Sequence, residues 1–435
     1  MRLRLMLLGA FAALTTAVAG AGVALSDDAD AELEARARRL LRQTPLIDGH
    51  NDVPWQYRKR VNLHLDQLDF ASDLTALDPP MHTDLARLRD GGVGGQFWSV
   101  FIPIQQSGGE AGDARTVIEQ IDFVKRLIAR YPEELELALT ADDVVRIHQA
   151  GKIASLIGME GGHSIENSLS VLRATYILGA RYMTITHSKN TDWADSATDD
   201  AAHDGLTEFG REVIREMNRM GMIVDLSHVS PATMHDALDI IQAPVMFSHS
   251  SAFAICAHPR NVPDDVLGRV KDNGGVVMIT FVGAFVSEEA RLARERSEEQ
   301  INRLKSELGD DEDAIQHAME AWHEANPAPR ATLEQVANHI DHVRKVAGID
   351  SVGLGGDYDG TSSIPVGLED VSKYPDLIVE LLRRGYTDDE IRKILGLNVL
   401  RVMRGVERAA GLISQSTPAS DARIEERDKP AGDAM

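Results

Sequence analysis

Histidines and carboxylates dominate the chemistry-bearing residues of this 435-residue chain, and several stand just after short apolar runs. His50 and Asp52 are two residues apart, so an extended segment points both side chains the same way. That spacing suits two ligands on one ion. Glu160, His187, His228, His249 and Asp357 each follow a further apolar run. His228 and His249 follow neighbouring runs and could hold a second ion, with the two oxygens of Glu160 as a bridge. Cys256 is the single cysteine, which excludes a thiolate metal cluster and an intramolecular disulfide. Imidazole and carboxylate without thiolate fit Zn²⁺, with Mn²⁺ or Fe²⁺ as lesser options. Two such ions about 3.5–4 Å apart can share a hydroxide and clamp an attacked carbonyl.

Eight runs can supply the strands that hold these groups: Pro45–Asp48, Gly95–Phe101, Ile153–Met159, Tyr182–Thr186, Met222–Leu226, Pro244–Phe247, Gly275–Thr280 and Ser351–Leu354. Helix-period segments separate them, among them Ala114–Ala129, Glu208–Met220, Pro231–Ile241 and Thr332–Val346. Thr207 and Ser230 are expected N-caps, and Pro231 occupies a first helical position. This alternation predicts an α/β fold, a (β/α)8 TIM barrel. Periodicity alone leaves a doubly wound sheet open. The polar residues favour the barrel, because closure brings strand ends onto one rim while an open sheet spreads them along a line. A charged helical insertion, Glu288–His323, follows strand seven and belongs on that rim, as a lid or an oligomer contact.

The rest of the chain bounds the setting. With 45 Lys+Arg against 68 Asp+Glu, the formal charge of -23 disfavours nucleic acid as a partner. Arg2 and Arg4 precede an apolar stretch from Leu5 to Leu25 that contains Ala17-Val18-Ala19, an A-x-A-like cleavage site. Residues 1–25 read as a signal peptide or an N-terminal anchor. The body is expected outside the cytoplasm, with membrane association only through that segment. Residues 26–412 are assigned to the barrel and 413–435 to a polar, disordered tail. His64, His82, His148, His317, His323, His339 and His342 are expected to be solvated, and His163 is a candidate supporting residue for the metal site. Gly353-Leu354-Gly355-Gly356 lacks the third glycine of a dinucleotide fingerprint, and Ser250-Ser251 lacks a G-x-S-x-G elbow.

Combined, the motifs resemble those of the membrane (renal) dipeptidases, a zinc dipeptidase family. The matching segments are Leu46-Ile47-Asp48-Gly49-His50-Asn51-Asp52, Gly158-Met159-Glu160-Gly161-Gly162, Leu226-Ser227-His228, Phe247-Ser248-His249-Ser250 and Gly355-Gly356-Asp357-Tyr358-Asp359-Gly360. The resemblance spans roughly residues 40–410. It implies a barrel with two Zn²⁺ per chain that hydrolyses dipeptides through a metal-bridging hydroxide. His50 and Asp52 would bind one zinc, His228 and His249 the other, and Glu160 would bridge. His187 would contact the scissile region and stabilise the oxyanion, Arg260 would pair with the substrate's terminal carboxylate, and Asp357 would handle the proton. Tolerance of a D-residue at the C-terminal position and a homodimer are further expectations.

The chain departs from mammalian members of that family. Lys189 stands where they carry a cysteine, so neither a disulfide-linked dimer nor a glycolipid anchor is implied. Phe281-Val282-Gly283-Ala284 lacks a tyrosine expected near the substrate. The alternative is a binuclear barrel hydrolase acting on a lactone, a phosphotriester, a cyclic amide or a β-lactam. Such barrels usually carry His-x-His on strand one and a carboxylated lysine on strand four, in contrast to His50-Asn51-Asp52 and Glu160. A non-catalytic binding protein would need a gap in the ligand and proton set, and none is visible.

Overall fold

A computed structural model describes residues 30–104, 113–309 and 311–428. Nine parallel strands are formed: β1 (Leu46–Asn51), β2 (Val93–Phe101), β3 (Leu135–Leu137), β4 (Ile153–Glu160), β5 (Ala180–Thr184), β6 (Ile223–Asp225), β7 (Met246–Phe247), β8 (Val276–Ile279) and β9 (Val352–Leu354). Eight of them close a barrel in the order β1-β2-β4-β5-β6-β7-β8-β9, with β9 returning to β1 through Asp48 and Leu354. The fold is the expected (β/α)8 barrel. Most strand residues are buried because helices cover the outside while side chains fill the inside, so the strands read as apolar runs. β3 is a ninth strand that the apolar runs did not reveal. It pairs Leu135 with Ile153 and Leu137 with Ser155, beside the first half of β4. Three residues, two of them only partly buried, leave too little pattern to detect.

Period-two alternation explains how the barrel is filled. On the inward faces, Phe97, Leu156, Tyr182, Ile223, Met246 and Met278 belong to one buried apolar cluster. Two residues further along the same strands stand polar groups, such as Ser99 after Phe97, Thr184 after Tyr182 and Asp225 after Ile223. The apolar plug therefore forms the floor on which the polar rim rests. A larger core packs the outward faces against the helices.

Helix starts follow their caps. Thr207 accepts from Gly210 N ahead of Glu208–Met220, and Ser230 accepts from Thr233 N with Pro231 opening the next helix. The insertion after β8 is two helices, Glu288–Leu308 and Glu312–Ala325. The polar tail is not disordered over its described part. The helix Asn398–Ser416 runs past residue 412, and the chain then folds back onto Glu208–Met220. There Ser420 N donates to Glu216, and Asp428 accepts from Thr207 Oγ1 and Phe209 N. Its polarity thus serves partners on another helix. Residues 1–25 lie outside the described residues. Among the described ones, no helix is long and apolar enough to cross a membrane.

Candidate metal centre and active site

β1 ends in His50 and Asn51, and Asp52 follows directly, so His50 Nε2 lies 3.2 Å from Asp52 Oδ2. Glu160, the last residue of β4, reaches the centre of the rim. Its Oε2 is 3.6 Å from His50 Nε2, and its Oε1 is 3.1 Å from His228 Nε2 and 3.5 Å from His249 Nε2. The two imidazole nitrogens of His228 and His249 are 2.9 Å apart. Three sets of potential ligand atoms each lie within 4.8 Å: His50, Glu160 and His249; Glu160, His187 and His228; His50, Asp52 and Asp357. The seven residues singled out by strand position are thus gathered at one place. His228 and Asp357 hold positive φ angles of 70° and 59°, unusual for non-glycine residues.

A layer of residues that sequence patterning did not single out fixes these rings. Tyr182 hydroxyl donates to Gly49 O at 3.2 Å and faces His50 Nδ1 at 3.0 Å. Having spent its proton on the carbonyl, the hydroxyl accepts from Nδ1–H, so Nε2 is the ring atom aimed at Asp52 and Glu160, where it carries either a proton or a metal ion. Asp225 does the same for His249 through Ser248. Ser248 Oγ donates to Asp225 Oδ2 at 2.6 Å and stands 2.8 Å from His249 Nδ1. Ser99 Oγ donates to Glu160 Oε2 at 3.4 Å. The signal for these residues was present in period two: Tyr182 and Asp225 occupy inward positions of strands followed by His187 and His228, and Ser99 an inward position of β2, which pairs with β4 beside Glu160.

The electrostatics match a cation site. Burial opposes charge on His50, but the Glu160 and Asp52 carboxylates outweigh it and push the imidazole up to about 10. Burial, with Asp52 adding to it and His50 opposing, raises both Glu160 and Asp357 above the usual carboxylate range. His228 and His249 are held well below the usual imidazole value, first by burial and then by nearby cations including Arg260. They are neutral, and their lone pairs converge on a carboxylate oxygen. His228 Nδ1 has no hydrogen-bond partner. Acceptors crowded in this way repel unless a cation lies between them. The donor set of imidazole and carboxylate fits divalent ions of the zinc type.

His187 stands on the loop after β5, with its ring against Phe101 at 4.6 Å and His228 at 4.4 Å. Burial and then Arg260 push it down to about 3, so it is neutral. Arg260 is no surface salt-bridge residue. It is 3% exposed, and its guanidinium donates to Ser250 Oγ at 3.4 Å and His249 O at 3.3 Å. No carboxylate pairs with it among the described residues, and its Nε lacks a partner. A cavity of about 530 Å³ opens from His228 and Arg260, with His258, Phe285, Lys189 and Arg294 in its walls.

The remaining histidines divide. His64, His317 and His323 are exposed as expected. His163 Nε2 bonds Ile102 O instead of reaching a ligand. His339 is a correction: it is fully buried, taking Ala252 N on Nδ1 and facing Val286 O with Nε2. Its charged helix has an inner face, which the acidic neighbours concealed. His82 is also partly buried and accepts from Asp359 N, His148 is half-buried, and His342 pairs with Asp264 at 2.7 Å.

The family model described as Membrane dipeptidase (Peptidase family M19) matches residues 34–417. Solved structures share the fold. The probable dipeptidase PvdM from Pseudomonas aeruginosa is 22% identical with a TM-score of 0.75, covering 87% of this chain and 99% of its own. A metallopeptidase from Rhodobacter sphaeroides, liganded with a phosphinate mimic of the dipeptide L-Ala-D-Ala, is 22% identical with a TM-score of 0.68, covering 83% and 99%. The match across nearly the whole barrel, together with a rim of buried imidazoles and carboxylates, places the chain in the membrane dipeptidase family, M19, as a metallodipeptidase.

Proposed function

We propose that the protein is an exported zinc dipeptidase that cleaves dipeptides, including those with a D-residue at the C-terminal position. One observation carries the reading: Glu160 stands between His50 and the His228–His249 pair, beside a buried Arg260 guanidinium that forms no direct ion pair among the described residues. In this reading His50 and Asp52 hold one Zn²⁺, His228 and His249 hold the other, and Glu160 serves both. When bound, the metal pair supplies Lewis-acid polarisation of the peptide carbonyl and an activated water at neutral pH.

The side chains do the rest. Arg260 takes the terminal carboxylate of the substrate, which gives the guanidinium the direct ion pair it does not make within the protein. That contact limits the substrate to two residues, because the distance from Arg260 to the metal ligands is set by the barrel. His187, neutral and buried, donates a ring N–H to the oxygen that develops negative charge. Asp357 accepts the proton released in the attack and returns it to the leaving amine. Acceptance of a D-residue is supported by the L-Ala-D-Ala mimic bound to the Rhodobacter sphaeroides relative. Export is supported by the basic and then apolar residues 1–25.

The test is metal analysis of the purified protein with a dipeptide and tripeptide panel. About two zinc per chain and cleavage confined to dipeptides are expected. Equal cleavage of tripeptides refutes the Arg260 role. Asp357→Asn should abolish turnover with zinc retained, and surviving turnover refutes its proton role.

A further inference from the structure

Arg260 answers one negative charge of a substrate. The cavity beside it holds three more cations: Lys189 from the loop after β5, and Arg291 and Arg294 from the first insertion helix. Their pairings differ in a way that matters. Arg291 is locked by Glu288 through two nitrogens and by Glu295 through a third, with its side chain 13% exposed. Among the described residues, Arg294 pairs only with Glu298, at 2.9 Å, and Lys189 only with Asp199, at 2.8 Å. These two side chains are 56% and 53% exposed. Exposed single pairs of this kind are weak, and a competing carboxylate exchanges into them readily.

The cavity wall reports the resulting field. His258 packs on Phe285 with ring centres 4.2 Å apart, and the Arg260 guanidinium lies 5.4 Å from the centre of the same ring. Burial, then Arg260, Arg294 and Arg291, push the His258 imidazole down to about 3, with Glu288 opposing. On a chain of net charge -23, this is a local concentration of positive potential. The α-carboxylate and the side chain of a C-terminal residue branch from one carbon. A carboxylate held by Arg260, itself part of the cavity wall, therefore leaves that side chain within reach of this cavity.

Resting on the dipeptidase reading above, we propose that the cavity selects dipeptides whose C-terminal residue has an acidic side chain, with Arg294 of the insertion and Lys189 as the selecting cations. Glu295 and Glu298 also line the cavity and oppose an acidic side chain, so selection requires Arg294 to bridge Glu298 and the substrate carboxylate and Lys189 to add its charge. The insertion thus acts as a specificity element, contributing a wall that the barrel loops do not supply.

The experiment compares kcat/KM of the metal-loaded enzyme on isosteric pairs, Ala-D-Glu with Ala-D-Gln and Ala-D-Asp with Ala-D-Asn. An acid-to-amide ratio of about ten is expected at low salt, the scale of one charge-assisted hydrogen bond, and it should shrink as salt screens the exposed cations. Arg294→Gln and Lys189→Gln should each bring the ratio toward one. Arg294→Glu should turn the preference toward Ala-D-Lys. A ratio of one in the wild-type enzyme, with dipeptides still cleaved, overturns the selection. A ratio that survives both glutamine variants overturns the assignment to these cations. Failure to cleave any dipeptide with metal bound refutes the dipeptidase reading instead.

Discussion

Replacing Asp225 by Asn should weaken metal binding although Asp225 touches no proposed ligand atom of the metals. Asp225 is fully buried at the end of β6 and accepts four hydrogen bonds. Oδ1 takes Ser227 N at 3.1 Å and Ser248 N at 2.8 Å, while Oδ2 takes Ser248 Oγ at 2.6 Å and Thr184 Oγ1 at 2.5 Å. In Asp225→Asn the amide oxygen keeps the two backbone donors, so the NH₂ group replaces Oδ2. That group donates where the carboxylate accepted. Ser248 Oγ must then accept from it, and its own proton turns to His249 Nδ1. The imidazole answers by carrying its proton on Nε2, the atom that faces Glu160 at 3.5 Å. A ligand lone pair becomes an N–H. Losing such outer support typically costs 10–100-fold in metal affinity, equivalent to about 1.4–2.7 kcal/mol. The assay is competition for zinc against a chelator of known affinity, with circular dichroism and a melting curve as controls for folding. A folded Asp225→Asn protein that holds zinc as tightly as the wild type refutes the relay through Ser248.

Other predictions follow from single contacts. A Cβ at Gly360 would lie 2.2 Å from Asp52 Oδ2 and 2.3 Å from Asp357 Oδ1, so Gly360→Ala should displace both carboxylates. Activity and zinc content should fall together while the melting curve stays cooperative; full zinc content with normal turnover contradicts this. His339 should make stability pH-dependent. Burial holds its folded value near 4, against about 6.5 when unfolded, so the folded state binds fewer protons between those limits. Its stabilising contribution is complete above pH 6.5 and lost as pH falls toward 4, by about 3 kcal/mol. Urea titrations at several pH values should show a shallower slope for His339→Gln than for the wild type, and identical slopes refute a buried neutral ring.

The chain's local pattern already contained the barrel strands and the types of residue at their ends. Apolar runs are readable because strands buried on both faces keep few polar residues inside them, and the rim groups stand out against that background. Glu160 after Ile153–Met159 and His249 after Pro244–Phe247 are such cases. β3 escaped because three residues carry too little periodicity. His339 escaped because the same helix shows a charged face to solvent and an apolar one to the barrel. The tail escaped because Ser420 and Asp428 are polar for the sake of Glu216, Thr207 and Phe209, which lie more than 200 residues away.

Sequence by itself determined the donor chemistry: one cysteine left only imidazole and carboxylate for metal, and their place at the ends of eight apolar runs favoured a closed barrel over an open sheet. Tertiary structure alone decided which groups are buried, which tautomer each ring holds, and what faces the cavity. Arg260 is the clearest instance. Its motif could belong to a surface ion pair, and only the packing of His249, Ser250 and Phe285 around it buries the guanidinium without a direct ion pair. The same holds for Arg294, whose helical repeat looks like an ordinary solvated face. Its position over the barrel mouth arises from the insertion's path after β8, a long-range contact that local spacing does not encode.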